Sequence, residues 1–425
     1  MTKACEPYFG GNYSMDNQKN EHIQLTRNQK LVLTSSSLGF GLENMDVLFL
    51  SFTMSSVIAS LHVSAGAAGL IGTITNWGML LGGVLFGMLG DRFGRVKTFT
   101  YTIFVFALAT ALMSIANNIT SIYIFRFIAG IGAGGEYGLG ITLIAEAFPK
   151  KELGRMSSIA SIGGQVGAVA AAILAAFVIP SLGWHALYLF GLLPIILVFF
   201  VRRHIKESAE FLRVKENRKI TIIHAIKKYM FADLGTAWTS IGLMIMTTVQ
   251  IAGYFGLMNW LPSIVEQQSH LSVKGSSLWM ISTIIGMSIG MMTFGTIFDK
   301  MGPRLSFGIF LLASAVLVYA LAYAHSIGLL LIIGAVVGFF SNGMYGGYGA
   351  IVSRIYPTEV RSSANNIIVG VGRAVGGMSS LVIGLIMERY SLIVVMLFLS
   401  ILYLISFTVM MTLPGLKNFD QSSSK

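Results

Sequence analysis

Residues 87–97 read GMLGDRFGRVK, a charged, glycine-spaced turn between two long apolar segments. The apolar run before it, about residues 67–90, and the one after it, about residues 98–116, each come close to the roughly 20 residues a helix needs to cross a bilayer. Asp91, Arg92, Arg95 and Lys97 therefore fall at a water boundary between two spans. A second copy follows at residues 295–304, GTIFDKMGPR, in which Gly295, Asp299 and Gly302 match Gly87, Asp91 and Gly94, each 208 residues on, and Arg304 closes the turn.

Composition agrees with spans rather than a soluble core. Of the 425 residues 54% are hydrophobic and 11% charged, against about 25% charged in an ordinary soluble domain. The formal charge of +11 does not point to nucleic acid, because the cations follow a topology pattern. Of the 29 Lys and Arg, Lys274 and Arg389 fall on one side of the spans, Arg126 and Arg373 inside them, and the rest on the other side. The positive-inside rule makes that basic side, with both termini, cytoplasmic, as in a bacterial-type plasma membrane. The single cysteine, Cys5, excludes an intrachain disulfide and a Cys-based metal site. The seven His residues are scattered, so no metal or cofactor is expected. The polar start shows no secretory signal pattern.

The expected architecture is an all-α polytopic membrane protein, twelve transmembrane helices in two pseudo-symmetric six-helix bundles. Spans fall at about 32–60, 67–90, 98–116, 121–147, 155–180 and 185–201, then at about 233–262, 276–298, 305–323, 326–354, 363–386 and 391–413. The organisation is a tail over 1–31, a first bundle over 32–201, a basic linker over 202–232, a second bundle over 233–413 and a tail over 414–425. The 208-residue offset also pairs Gly130 with Gly338 and Pro149 with Pro357. A duplication of this kind places substrate at the repeat interface near the bilayer midplane. Glycines four apart, such as Gly78 and Gly82 or Gly130, Gly134 and Gly138, give smooth helix faces for close packing.

The loop GxxxDRxGR between the second and third spans, echoed in the second half, resembles the signature of the major facilitator superfamily of secondary transporters, over about residues 31–413. The resemblance implies alternating access and a gating set made of Gly87, Asp91, Arg92, Gly94, Arg95, Gly295, Asp299, Gly302 and Arg304. In that family the Asp tethers a neighbouring helix end and the Arg residues pair with acids. That fits the preference of carboxylates for helix N-termini and of guanidinium forks for carboxylates. Glu146 and Pro149 resemble the ExxP segment of relatives, with Leu153 where an Arg is usual and Arg361 keeping it in the second half.

A charge deep in a span costs at least about 2.5 to 3.5 kcal/mol on insertion scales, so each one is a functional candidate. Glu43 and Asp46 lie three apart, on one face of the first span. Two carboxylates so close in a poorly solvated site do not both hold a charge easily, which suits a proton carrier. The pair resembles that of the aromatic acid and the sialate or lactate proton symporters, and a nicotinate-type carrier is equally compatible. Arg126 and Glu136 flank RFIAGIGAGGEYG in the fourth span, which resembles a family motif whose Arg modulates protonation of a nearby carboxylate. Arg126 supports the charged form of whichever acid it touches. Glu136 is a hydrogen-bonding group or a member of the proton path.

Arg373, among small residues in GVGRAVGGMSS, occupies a setting in which anion-carrying relatives bind the substrate carboxylate. A buried guanidinium is always charged and offers paired donors. Its repeat counterpart is Gln165. Tyr254, Trp260, Tyr345 and Tyr348 supply rings and hydroxyls for an apolar substrate body.

These features point to a proton-coupled symporter of a small organic monoanion, a carboxylate, acting as a monomer in the lipid bilayer. A proton antiporter exporting a drug or metabolite uses the same parts. An enzyme is disfavoured because the spans hold no nucleophile and base pair, and a sensor because the tails are short.

Overall fold

The computed structural model describes residues 25–216, 221–269, 273–323, 326–379, 382–383, 385–386 and 390–416. The tail through residue 24 with Cys5, linker residues 217–220, Arg389 and residues 417–425 lie outside these, as do the side chains of Arg202, Arg203, Trp260 and Lys274.

Among the described residues every regular element is a helix. The first half holds α1 (Arg27–Leu61), α2 (Ala65–Phe93), α3 (Arg95–Leu112), α4 (Ile119–Ala147), α5 (Leu153–Leu182), α6 (Trp184–Leu189) and α7 (Leu193–His204). Two short linker helices follow, α8 (Ala209–Glu216) and α9 (Ile222–Met230). The second half holds α10 (Leu234–Ser269), α11 (Val273–Met301), α12 (Pro303–Leu317), α13 (Ile327–Gly343), α14 (Tyr345–Ile355), α15 (Arg361–Gly376) and α16 (Leu392–Thr412).

Nine helices among the described residues are long and apolar enough to cross a membrane. The first, sixth and eleventh spans complete the twelve, and each has a reason to look different. Helix α1 is 35 residues long, about 52 Å at 1.5 Å per residue, but carries Ser35, Ser36, Glu43, Asn44 and Asp46. It starts at Arg27, inside the stretch assigned to the tail, because Thr26 and Gln29 form a reciprocal capping box. The sixth span is split into α6 and α7 by a short 3₁₀ turn just before Pro194, which has no N–H to continue the ladder. In the eleventh span, α15 is rich in Ser and Asn. The tenth span also breaks, at Met344, dividing α13 from α14.

The repeat read in the sequence is a repeat of structure. Asn118 caps α4 through the N–H of Ser121, 2.8 Å, and Ser326, 208 residues on, caps α13 through that of Leu329, 3.3 Å. Within the halves α2 packs on α4 as α11 does on α13, and α1 on α5 as α10 does on α15. Between the halves, α2 meets α15 and α11 meets α5, again an equivalent pair. The glycine faces lie in these seams: a Cβ on Gly134 would meet the Met79 backbone, and one on Gly290 that of Phe339.

Candidate functional site

The two signature loops lie at one end of the molecule, here termed the loop end, and each fastens the opposite half. Asp91 accepts hydrogen bonds from the N–H groups of Ser362 (3.2 Å) and Ser363 (2.8 Å) and from Ser363 Oγ (2.7 Å), capping the start of α15. Asp299 accepts from the N–H groups of Gly154 (2.9 Å) and Arg155 (2.7 Å), capping the start of α5. The first glycine of each motif permits the approach: a Cβ on Gly87 would lie 2.9 Å from Ser363 Cα, and one on Gly295 2.7 Å from the Gly154 carbonyl oxygen. The last makes the turn, with φ of 125° at Gly94 and 84° at Gly302, which side chains rarely tolerate.

The cations differ between the two copies. Arg95 is fully buried, pairing with Asp91 at 3.2 Å and Glu146 at 3.0 Å, donating to the Thr358 carbonyl and lying 4.3 Å over the Phe211 ring. Arg92 is exposed and rests over Phe93. In the second half the position equivalent to Arg95 is Pro303, and the position equivalent to Glu146 is Arg354. Arg354 supplies the partner of Asp299 and lies 4.6 Å over Phe298. Arg304 instead donates to the Met411 carbonyl at 3.1 Å, at the end of α16.

Linker acids join this network, a feature the sequence reading passed over although Glu207 and Glu210 interrupt a basic run. Glu207 caps α3, accepting from the N–H groups of Arg95 (2.9 Å) and Lys97 (3.1 Å). Ser208 donates to Glu146, and Glu210 accepts from Thr358 and pairs with Arg361 at 3.5 Å. The linker thus touches both halves.

Deeper in, the two first-span acids part company. Asp46 takes both of its oxygens to Arg126 Nη1, 2.8 and 2.9 Å, and accepts from Thr110 Oγ1 at 3.0 Å. These partners belong to the first half and are buried. Glu43 pairs across the seam with Arg373. Arg373 also donates to Tyr345 Oη at 3.3 Å and lies 5.7 Å from the centroid of the Tyr137 ring, with 16% of its side chain exposed. Tyr137 stacks on Phe40 at 5.2 Å and meets Tyr345 at 5.4 Å. Tyr254 completes the group, lying near Asn44 and within the field of Tyr345.

Glu136 is fully buried beside this group, against Gly39 and Phe99, and neither of its oxygens has a hydrogen-bond partner among the described residues. It lies in the field of both Glu43 and Arg373. Gln165 is buried on α5 with its Oε1 likewise unpartnered, and it makes no hydrogen bond to the Arg373 group. The neighbouring Gly164 carbonyl accepts from Asn44 Nδ2 at 2.7 Å. Tyr348 lies apart, in the core of the second half, its ring 4.8 Å from that of Phe307. Tyr137 was not singled out from the sequence, although it adjoins Glu136. Together Glu43, Arg373, Tyr345, Tyr137 and Tyr254 make a polar, ring-lined cluster at the seam, able to hold an anion on a fixed cation.

Comparison with known proteins follows the same lines. The chain matches the family model described as Major Facilitator Superfamily over residues 36–291 and 243–423. It is 35% identical over 390 residues, 91% of this chain and 96% of the other, to a Haemophilus influenzae protein named only for metabolite transport. It is 28% identical to a sialic acid transporter of Escherichia coli, over 86% of this chain and 89% of that one. A solved proton:xylose symporter superposes with a TM-score of 0.77 at 16% identity, covering 91% of this chain and 96% of that chain.

Proposed function

The chain belongs to the major facilitator superfamily and is a membrane transporter rather than an enzyme, and from that premise we propose proton-coupled symport of a small organic monoanion, a carboxylate. The observation that carries this reading is the Arg373 to Glu43 ion pair joining the two halves, with Tyr345 on the same guanidinium. A substrate carboxylate competes with Glu43 for Arg373. Displacing a buried partner without neutralising it costs about 3–5 kcal/mol, and taking up a proton removes that cost. Anion and proton then load together. Glu136, in the field of Glu43, is a second carboxyl able to exchange the proton, and the Asp46 to Arg126 pair holds the first half. The E. coli relative named for sialic acid supports an acid as cargo. The chain works as a monomer in a bacterial-type plasma membrane, with the loop end and both termini cytoplasmic.

Thermal-shift screening of carboxylates on the purified protein, followed by uptake into vesicles with an imposed pH gradient, tests the reading, since ligands stabilise according to occupancy. Arg373→Ala should abolish the shift and Arg373→Lys weaken it strongly, because a point charge loses the paired donors. External acid should drive accumulation. A carboxylate bound equally well by the Ala variant, or one expelled when the outside is acidified, overturns the assignment, the second outcome in favour of antiport.

A further inference from the structure

Between the loop end and the Arg373 cluster, the Asn366 side chain of α15 crosses the seam and engages the backbone of α4. Its Oδ1 accepts from the Gly138 N–H at 2.8 Å and its Nδ2 donates to the Gly135 carbonyl at 3.3 Å. Donors and acceptors inside a helix are ordinarily committed to its own ladder, and here a side chain of the opposite half reaches them. Gly138 makes room: it offers no side chain, and a Cβ there would run into the Asn366 amide. The amide is buried, and on its other side α15 backs onto α2, where a Cβ on Gly83 would lie 3.2 Å from the Asn366 carbonyl oxygen.

The two gripped backbone groups bracket Glu136 and Tyr137. Glu136 carries the unpartnered carboxyl, faced by Glu43 of α1 and Arg373 of α15, while Gly39 and Phe99 add no titratable group. Tyr137 is the ring beneath the Arg373 guanidinium. Asn366 lies seven residues from Arg373, about 10 Å along the helix toward the loop end. Separating the halves at that end must draw α15 away from α4 and break both hydrogen bonds.

We propose that Asn366 is a positioning residue: it holds the Gly135–Gly138 segment of α4, and with it the Glu136 carboxyl and the Tyr137 ring, only while the halves are closed at the loop end. Proton exchange at Glu136 is thereby tied to which side of the carrier is open. This rests on Glu136 belonging to the proton path, as in the reading above.

The test uses the full chain with Cys5→Ser and a reporter, Ser158→Cys, in the seam between α5, α11 and α14, where Ser158 is buried against Gly295 and Gly346. The rate of labelling by an impermeant maleimide from the loop end is followed from acid to alkaline pH, and no ligand is needed. Asn366→Ala removes the grip from one side and Gly138→Ala displaces it from the other, so a folding defect in one leaves the other informative. Both should raise labelling roughly tenfold, the order expected for two lost hydrogen bonds, and flatten its dependence on pH. Unchanged labelling overturns the inference, and so does faster labelling with the parent pH profile, which would make Asn366 a plain latch. Glu136→Gln separates the premise: if the parent rate is flat in pH, or Glu136→Gln leaves it as it was, Glu136 leaves the proton path whatever the Asn366 variants do.

Discussion

Glu43 and Asp46 show how much a turn of helix decides. Three residues apart is about 300° around the axis, so the two carboxyls diverge by only about 60°. At the rim of a bundle that is enough to send Asp46 inward to Arg126 and Glu43 outward to Arg373. The consequence is a difference between substitutions that look alike. Asp46→Asn strands a guanidinium with no exposure, a loss of about 3–5 kcal/mol, and should lower the thermal unfolding temperature markedly. Glu43→Gln leaves Arg373 with Tyr345 and partial exposure, so its unfolding temperature should stay close to the parent. Its function should change instead: exchange of labelled for unlabelled substrate persists, uphill accumulation on a pH gradient is lost, and carboxylate binding no longer weakens about tenfold per pH unit as pH rises, the slope for one linked proton. Equal destabilisation by both variants would return the two acids to one role. The sequence displays both acids and both Arg residues but not the pairing, because a spacing along one helix says nothing of which neighbour faces each side.

At the scale of elements, each loop is a cap for a helix of the other half. The motif residues were legible because a glycine, an acid and a glycine recur at one offset with separate physical duties: close approach, N–H acceptance and a positive φ. The exchange of cations was not, since Arg304 stands near the expected place while Pro303 occupies the position equivalent to Arg95. The offset that pairs Pro149 with Pro357 also pairs Glu146 with Arg354, and that was the available signal. Likewise Pro194 announces the break in the sixth span, whereas the break at Met344 follows from tertiary contacts, Gly346 lying against Ser158 and Gly347 against Phe294. The two caps are unequal. Asp91 holds two N–H groups, a hydroxyl and Arg95, while Asp299 holds two N–H groups and Arg354. Loss of an N-cap costs about 0.5–2 kcal/mol. Asp91→Ala should therefore widen the distance distribution between spin labels at Lys97 and Glu359 more than Asp299→Ala does. A larger effect of Asp299→Ala would show that the arginines rather than the caps set the balance.

For the molecule as a whole, sidedness follows from charge rather than from shape, because the packing distinguishes the loop end from the other end without saying which of them faces the cytoplasm. The signal is the excess of Lys and Arg at the loop end and in the linker. There α9 turns Ile222, Ala225 and Met230 inward and leaves Lys227 and Lys228 exposed. Such residues near span ends fix orientation during insertion, and a basic surface helix is held further by anionic headgroups. With an even number of crossings, both termini share the side of the loops. The lone Cys5 tests this without any engineered site: an impermeant maleimide should label it in inside-out vesicles and leave it unmodified in right-side-out ones. Ser326→Cys in a Cys5→Ser background, in the exposed connection ahead of α13, should behave in the opposite way. Labelling of both positions from one side would break the count of crossings between them, and a clean reversal of the two would invert the carrier, placing the Asp91 and Asp299 caps on the outer face and turning the expected direction of proton entry around.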